Sequence, residues 1–361
     1  MPEERIERYA GLLVDCVDVQ PRWQVLVSGS PLARPLLEEV FRLIARRGAY
    51  VVPRISLGGD LGFEPAWARE APIELLETPP PLEARVFEEA DALIIVVAPE
   101  NARELASVPE ERLAAFRAGR RPGMERMLRH EVPWIGCQYP TPALAQEAGM
   151  STDAFADFLF DACLIDWAAL AERLQRRADR FDQAEEVRIV GEETDLRLSL
   201  AGRSMRVSSP GGNLPGGEFY GCPVEDSAEG EIAFTEFPAL FSGRELNGIR
   251  LRFEGGKVVD ASADMNEDFL LQTLDTDDGA RRLGELGIGS NPGVTRYMKN
   301  ILFDEKIDGT AHLALGNAYH DLGGTNVSTI HWDIVKDLRN GGRIELNGEV
   351  VQQHGRWLID A

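Results

Sequence analysis

The sequence predicts an α/β protein: an N-terminal domain built on a mostly parallel α/β sheet, followed by a β-rich α+β catalytic domain. Strand-like apolar runs alternate with helical periodicity through the first half of the chain. The pattern then changes to short strands separated by turns, and 361 residues exceed what one hydrophobic core usually organises. We therefore place a domain boundary at 183/184, which gives domains of residues 1–183 and 184–361.

The N-terminal half contains four predicted strands separated by helical segments. In chain order, the strands are "WQVLVSG" (23–29), "AYVVPRI" (49–55), "DALIIVVAP" (91–99) and "VPWIGCQYP" (132–140). A helix, "LARPLLEEVFRLIARRG", separates the first two and ends at Gly48; "PEERLAAFRAGR" and "ALAQEAGM" are further helices. Residues 151–183 have helical periodicity throughout, with Ser151 or Thr152 as the N-cap. Such alternation favours parallel strands joined by helical crossovers.

The C-terminal half is predicted to consist mainly of short strands. "EVRIVGEETDLRLSLAGRSMRVSS" has the pattern of strands and turns, and "IRLRFEGGKVVDASA" indicates a hairpin that turns at Gly255-Gly256. "NEDFLLQTLD" is the one clear helical segment of this half. "GTAHLALGNAY" and "TIHWDIV" have the alternation of strands and carry the polar residues considered below.

Composition and simple motifs exclude several classes of function. Lys and Arg total 38 against 60 Asp and Glu, so the net charge of −22 disfavours nucleic acid and anionic membranes as partners. The N-terminus has no signal-peptide core and the four cysteines form no CxxC pair, so we expect a cytoplasmic protein with reduced thiols. Cys137 is a candidate nucleophile, but a buried strand cysteine is favoured. "SLGGDLG" (56–62) lacks the spacing of a phosphate-binding loop.

Histidines and carboxylates of the second half form a candidate metal site. Three of the five histidines fall between positions 312 and 331. His331 and Asp333 stand two apart in a predicted strand, so both side chains project from one face. His312 has small neighbours, which leave space around its imidazole. Two histidines and one carboxylate suffice either for zinc-dependent hydrolysis or for a non-haem iron oxygenase.

Two glutamates extend this set to five candidate ligands. Glu218 lies in "NLPGGEFYGCP" and Glu285 in "RRLGELGIGSNPG", where flanking glycines allow close backbone approach. A single catalytic metal takes about three protein ligands, whereas a two-metal site needs more and a bridging group. Five ligands from four segments therefore suit two divalent ions that share a carboxylate, either Glu218 or Glu285.

Four of these segments, taken together, resemble a known family. "NLPGGEFYGCP", "ARRLGELGIGSNPG", "LFDEKIDGTAHLALGNAY" and "HWD" are similar to motifs of the thermophilic aminopeptidase T family, the M29 metallopeptidases. "RYAGLLVDCVDVQPRWQVLV" and "ETDLRLSL" extend the resemblance over most of the chain. It implies a homodimeric, dinuclear exopeptidase that acts on peptides, with two divalent ions (Zn, Co or Mn) in the C-terminal domain.

The resemblance also assigns roles to single residues. The family's metal-binding positions carry over onto Glu218, Glu285, His312, His331 and Asp333. An active-site tyrosine carries over onto Tyr319, where it would donate a hydrogen bond to the oxyanion. We expect Tyr319 and Glu285 to be the catalytic residues, and a carboxylate of the set to pass the proton to the leaving amine.

Two departures from the family pattern leave an alternative function open. The family commonly has "FDENA" where this chain has "FDEKI", and Lys306 is expected to form a surface ion pair with Asp304 or Glu305 rather than to orient the site. The segment between Tyr319 and His331 is also shorter and contains "LGGTN". The alternative is a mononuclear non-haem iron dioxygenase that opens hydroxypyridine rings with two histidines and Asp333. Retention of both glutamates favours two metals and a peptidase; a binding protein without catalysis is a third class.

Overall fold

The computed structural model describes residues 3–57, 64–104, 108–129 and 131–359. The chain forms two units, one of residues 1–165 with 210–215 and the other of residues 166–209 with 216–361. The first holds a parallel sheet and the second antiparallel sheets, which confirms the predicted fold class. The two units meet at residues 165 and 166, so the helix of residues 167–182 belongs to the second unit. The boundary expected at 183/184 refers to domains that fold independently, and it stays a prediction.

Helices dominate the first half of the chain. In chain order the described helices are α1 (Glu3–Cys16), α2 (Arg34–Arg46), α3 (Pro65–Glu70), α4 (Ile73–Leu76), α5 (Pro81–Glu89), α6 (Glu110–Leu128), α7 (Pro142–Glu147), α8 (Thr152–Cys163), α9 (Trp167–Asp182), α10 (Glu267–Leu274) and α11 (Ile301–Asp304). Among the described residues, no helix combines the length and the apolar character needed to cross a lipid bilayer.

Strands dominate the second half. The described strands are β1 (Gln24–Gly29), β2 (Tyr50–Ile55), β3 (Ala92–Val97), β4 (Trp134–Gln138), β5 (Glu186–Gly191), β6 (Thr194–Ser199), β7 (Arg206–Ser208), β8 (Gly212–Leu214), β9 (Glu218–Gly221), β10 (Glu229–Phe234), β11 (Ala239–Phe241), β12 (Arg244–Leu246), β13 (Ile249–Glu254), β14 (Lys257–Ser262), β15 (Leu283–Gly289), β16 (Thr310–Gly316), β17 (His331–Asp337), β18 (Arg343–Leu346), β19 (Glu349–Gln353) and β20 (Arg356–Trp357).

The N-terminal unit contains a five-stranded parallel sheet in the order β2–β1–β3–β4–β8. The apolar run of β3 is buried on both faces, as its sequence predicts. Pro53 is tolerated because β2 lies at the sheet edge. Cys137 is buried in β4, as expected of a strand cysteine, and burial raises the pKa of its thiol to about 12, which disfavours a thiolate nucleophile. Residues 58–62 of the "SLGGDLG" segment lie outside the described residues.

The segment expected to be one continuous helix, 151–183, is two helices with a break before Trp167. Ser151 caps α8, as predicted, by accepting a hydrogen bond from the backbone N–H of Ala154. Asp166 caps α9 in the same way, because its Oδ1 accepts from the N–H of Ala169. An N-cap residue has extended backbone geometry, so a continuous helix through Asp166 is excluded.

The C-terminal unit contains two larger antiparallel sheets. One has the order β14–β13–β10–β6–β5–β18–β19–β20, and its β13–β14 hairpin turns at Gly255-Gly256 as predicted. The other, in the order β17–β16–β15–β9–β7, carries the candidate site. Aromatic packing supports β9 in this second sheet: the ring of Phe219 lies 5.1 Å from that of Phe181 in α9 and 5.9 Å from that of Trp357.

We predict that Phe181→Ala lowers the free energy of unfolding by about 3–5 kcal/mol, because it removes a fully buried ring from this aromatic cluster. Denaturant unfolding followed by tryptophan fluorescence and circular dichroism measures the change. Leu358→Ala is the control: its side chain is 50% exposed, so the expected change is within about 0.5 kcal/mol. Equal stability of the two variants would contradict the packing role of α9.

Candidate metal centre

The five predicted ligands come together on one face of the sheet formed by β17, β16, β15 and β9. They are Glu218 in β9, Glu285 in β15, His312 in β16, and His331 and Asp333 in β17. We call these five residues the donor cluster. Each strand is hydrogen-bonded to the next, so side chains separated by up to 115 positions along the sequence become neighbours across the sheet.

Small residues in the neighbouring strands leave room for the donor cluster. Gly289 pairs with Glu218 and Gly287 pairs with His312 in the strand register. Ala314 pairs with both Glu285 and Asp333, where β15 carries a register shift. An added Cβ on Gly287 would stand only 1.9 Å from Nε2 of His312, so glycine is required there by the imidazole itself. Glycine and alanine at the paired positions therefore leave room for the polar side chains on this face of the sheet.

Glu285 lies at the centre of the donor cluster. Its Oε1 is 3.3 Å from Nε2 of His312, and its Oε2 is 3.2 Å from Nε2 of His331. Asp333 is 3.6 Å from the imidazole of His331, and Glu218 is 3.5 Å from that of His312. Ligand atoms of Glu285, His312 and Asp333 all lie within 4.8 Å of one another. One carboxylate therefore faces both histidines, with a further carboxylate beside each imidazole.

The orientation of His331 is set by its backbone neighbour. Its Nδ1 lies 2.8 Å from the carbonyl oxygen of Asn317. Because a carbonyl only accepts hydrogen bonds, Nδ1 carries the proton and Nε2 is directed to the carboxylates. A ligand histidine held in this way by a second group is the usual arrangement in metal sites.

Asp277 fixes the segment that enters β17. Its carboxylate accepts hydrogen bonds from the N–H of Thr329 at 2.7 Å and from the hydroxyl of Ser328 at 2.8 Å. It also accepts from the N–H groups of Gly279 and Ala280 before β15. Although desolvation opposes ionisation, these hydrogen bonds lower the pKa of Asp277 to about 2. Asp277 thereby connects the strand of His331 to that of Glu285.

The titration behaviour of the donor cluster reflects several charges buried together. Burial raises the pKa of Glu218 to about 8 and, with the nearby charge of Glu285, that of Asp333 to about 6. Burial acts the same way on Glu285, but hydrogen bonds from the two histidines outweigh it and lower its pKa to about 2. Burial by itself would lower the pKa of both histidines. Their hydrogen bonds to Glu285 outweigh it and raise the pKa of His312 to about 9 and that of His331 to about 10. Without a metal, protons thus provide the positive charge that the carboxylates require.

The donor cluster fits a divalent cation. Within the described part of the chain, Oε2 of Glu218 and Oδ1 of Asp333 are buried without a hydrogen-bond partner. An unpaired carboxylate oxygen in a buried position is costly unless a cation neutralises it. Imidazole nitrogen and carboxylate oxygen are ligands that Zn, Co and Mn accept. The residues present are therefore suited to such ions.

Tyr319, the predicted active-site tyrosine, lies beside the donor cluster. Its ring centroid is 5.4 Å from that of His331 and 5.2 Å from that of Tyr220. Burial and the nearby negative charges of Glu285 and Asp333 raise the pKa of Tyr319 far above its usual range. Its hydroxyl consequently stays protonated at neutral pH and is available as a hydrogen-bond donor.

Lys306 and Asp304, in the segment before β16, have contacts that differ from those predicted from the sequence. Lys306 is fully buried, so the expected surface position is wrong, although the expected ion pair with Glu305 is present; its Nζ also lies 3.2 Å from Oε1 of Glu218. Asp304 instead accepts from the N–H groups of Met298 and Asn300. The motif "FDEKI" places Lys306 just before the strand of His312, which is the sequence feature that could have indicated its position. Because lysine is rarely buried, the sequence favours an exposed side chain.

A family model described as thermophilic metalloprotease (M29) matches residues 2–357. The chain belongs to the M29 family. The resemblance stated from the motifs is confirmed, and so is the enzyme class, a metal-dependent hydrolase of the peptidase kind.

Similar proteins support the M29 membership over the full chain. Aminopeptidase 2 of Geobacillus stearothermophilus is 27% identical over 414 residues, covering 99% of this chain and 98% of the relative. Aminopeptidase T of Thermus aquaticus is 26% identical, covering 88% of this chain and 85% of the relative.

Solved structures share the fold. Wild-type AmpT from Thermus thermophilus superposes with a TM-score of 0.85 at 23% identity, covering 98% of this chain and 99% of its own. A 2,5-dihydroxypyridine dioxygenase from Pseudomonas putida KT2440 superposes with a TM-score of 0.64 at 14% identity, covering 99% and 98%. At these identities the likeness concerns the fold alone, so function rests on the family and the site.

We predict that Gly287→Ala weakens Zn²⁺ binding by about 10- to 100-fold, because the new methyl group displaces the imidazole of His312. Calorimetric titration with Zn²⁺ measures this, and circular dichroism shows whether the fold is retained. Gly136→Ala in β4 is the control, since its methyl group would meet its nearest neighbour at an ordinary 3.6 Å. Unchanged affinity in Gly287→Ala would be incompatible with His312 as a ligand.

Proposed function

We propose that this M29 member is an aminopeptidase that removes the N-terminal residue of peptides at a two-metal centre, with Zn, Co or Mn as the ions. The observation that carries the proposal is the convergence of five nitrogen and oxygen donors on one sheet face of a metalloprotease-family chain. Three donors would suffice for one ion, so two more carboxylates favour a second. Relatives named aminopeptidases support the substrate class.

We assign Glu285 the bridging position between the two halves of the donor cluster. Its two oxygens face different histidines, 3.3 Å and 3.2 Å away, whereas Glu218 approaches His312 alone. Glu285 would therefore be the residue that holds both ions, a role that the sequence left open between Glu218 and Glu285. When bound, such an ion pair supplies a water ionised near neutral pH and a Lewis acid for the scissile carbonyl.

The remaining groups have roles that follow from their position. Tyr319 keeps its proton and would donate a hydrogen bond to the oxyanion as the carbonyl is attacked. A carboxylate of the donor cluster would take the proton of the attacking water and pass it to the leaving amine. His331 is the more exposed histidine, with 30% of its side chain accessible against 1% for His312. We infer that substrate approaches from the side of His331 and Tyr319.

The alternative, a mononuclear iron dioxygenase, has weaker support. The dioxygenase neighbour shares the fold at 14% identity, which carries no chemistry by itself. An iron site of that class uses two histidines and one carboxylate with open positions. Here Glu285 lies between both histidines, so a second carboxylate occupies the centre of any such site.

The oligomeric state and the cellular location are further parts of the proposal. We propose a homodimer, as the family resemblance implies, and light scattering of the purified protein measures the molar mass that decides it. We also propose a cytoplasmic location, as expected from the cysteine spacing and the charged N-terminus, and fractionation of cells that express the protein measures this.

We predict that the metal-loaded protein hydrolyses aminoacyl anilides with a free α-amine and leaves their N-acetylated counterparts intact. Glu285→Ala should lower kcat/KM by at least about 100-fold, since it removes the carboxylate shared by both histidines. Glu231→Ala, an exposed glutamate of β10, is the matched control and should keep full activity. Initial rates of anilide cleavage are the measurement.

Two outcomes would count against the proposal. Anilide turnover that persists in Glu285→Ala would contradict the site assignment. Oxygen consumption with a hydroxypyridine and one bound iron, without anilide cleavage, would replace the aminopeptidase by the dioxygenase.

A further inference from the structure

The donor cluster is unequal at its two ends, because one end contains a fixed cation. The Lys306 side chain is fully buried, with Nζ 3.2 Å from Oε1 of Glu218 and in contact with the carboxylate of Glu305. Lysine side chains ordinarily reach water with their ammonium group. This ammonium is instead enclosed between two carboxylates at the interior edge of the site.

The backbone around Lys306 holds it there. Its N–H donates to the carbonyl of Phe303 at 2.9 Å, and its own carbonyl accepts from the N–H of Asn291 at 3.0 Å. The turn after α11 also lies against β15, since an added Cβ on Gly289 would stand 2.3 Å from the carbonyl oxygen of Ile307. The backbone segment that carries Lys306 is thus held against β15, an interior strand of its sheet.

The other end of the cluster has a set of donors that does not include Glu218. There, Nε2 of His331 lies 3.2 Å from Oε2 of Glu285 and 3.6 Å from Oδ2 of Asp333. None of these three residues has a described contact with a lysine or arginine. Glu218, by contrast, directs Oε1 to the ammonium and leaves Oε2, 3.5 Å from His312, as its free oxygen.

We propose that Lys306 makes the two metal positions unequal: one divalent ion is held tightly by His331, Asp333 and Glu285, and a second ion, next to Glu218 and His312, is held weakly. The inference rests on the proposed function, from which it takes the two-ion centre. The ammonium occupies one oxygen of Glu218 and repels a divalent cation at short range. Such repulsion is screened little in a buried site, and it falls with distance, so it acts mainly on the ion nearest Glu218.

A functional consequence follows from the unequal positions. At low concentrations of free metal the protein would carry one ion, and the second would be gained or lost with the surrounding concentration. Lys306 is accordingly a positioning residue: it touches no reacting atom, and it acts through Glu218 on the occupancy of the second position.

Equilibrium titration of the full-length protein with Mn²⁺ tests the proposal. The protein is first stripped with a chelator, and bound ions are counted from the electron paramagnetic resonance signal of free Mn²⁺. Wild type should show two classes of site that differ in affinity by at least about tenfold, equal to about 1.4 kcal/mol. Lys306→Gln should tighten the weak class by at least about tenfold and change the tight class by much less.

Lys336→Gln is the matched control for removing a buried ammonium. Lys336 is 1% exposed and pairs with Glu236 and the carbonyl of Glu192, outside the donor cluster. Both classes should keep their wild-type affinities in this variant. Should Lys306→Gln fail to fold, Glu218→Gln in its place should abolish the weak class and spare the tight one, while Glu285→Ala, which removes the carboxylate that faces both histidines, should weaken both classes.

The outcomes separate this inference from the proposed function. Two equal classes in wild type, or a weak class unchanged in folded Lys306→Gln, would overturn the role of Lys306 while anilide cleavage still supported the aminopeptidase. Loss of the tight class in Glu218→Gln would overturn the assignment of the two ends. A protein that binds neither Mn²⁺ nor Zn²⁺ would overturn both proposals together.

Discussion

Compensation of buried negative charge is the constraint on which the rest of the site depends. Three carboxylates of the donor cluster are largely removed from water on one sheet face. Ionised carboxylates persist in such a place only with cations or hydrogen-bond donors beside them. In the protein alone, protonated imidazoles and the ammonium of Lys306 meet this need. A divalent ion would displace protons from the imidazoles but leave the ammonium in place.

The surrounding structure serves this arrangement. Antiparallel pairing of four strands brings the donors side by side, and glycine or alanine at the paired positions leaves the volume that side chains and ions need. Asp277 ties the entry of one ligand strand to another, and the aromatic rings of Phe181 and Phe219 support the strand of Glu218. The donor geometry is therefore held by regular strands rather than by loops, which limits the movement of each ligand.

Burial also shows which side of the donor cluster is accessible to solvent. His312 and Lys306 lie at the interior, whereas His331 is partly accessible and Tyr319 is beside it. Under the proposed function, a peptide would arrive at the accessible end, where the ligand His331 lies next to Tyr319.

Much of this was predictable from sequence, and the failures have physical reasons. Strand alternation placed His331 and Asp333 on one face, and glycine neighbours indicated space around His312 and Glu285. The motifs could not show that these strands are neighbours, because pairing depends on contacts distant in sequence. The break at Asp166 required a capping hydrogen bond to be recognised, and β8 joins its sheet from far along the chain. Burial of Lys306 depends on two carboxylates that only the folded chain brings to it.

Anomalous diffraction from crystals of the Zn²⁺-loaded protein, collected on both sides of the zinc absorption edge, tests the central claim most directly. The account predicts two zinc peaks about 3.5–4 Å apart within the donor cluster, with Glu285 between them. The peak next to Glu218 should be the weaker one. No peak within the donor cluster, or zinc bound only elsewhere on the protein, would contradict the account.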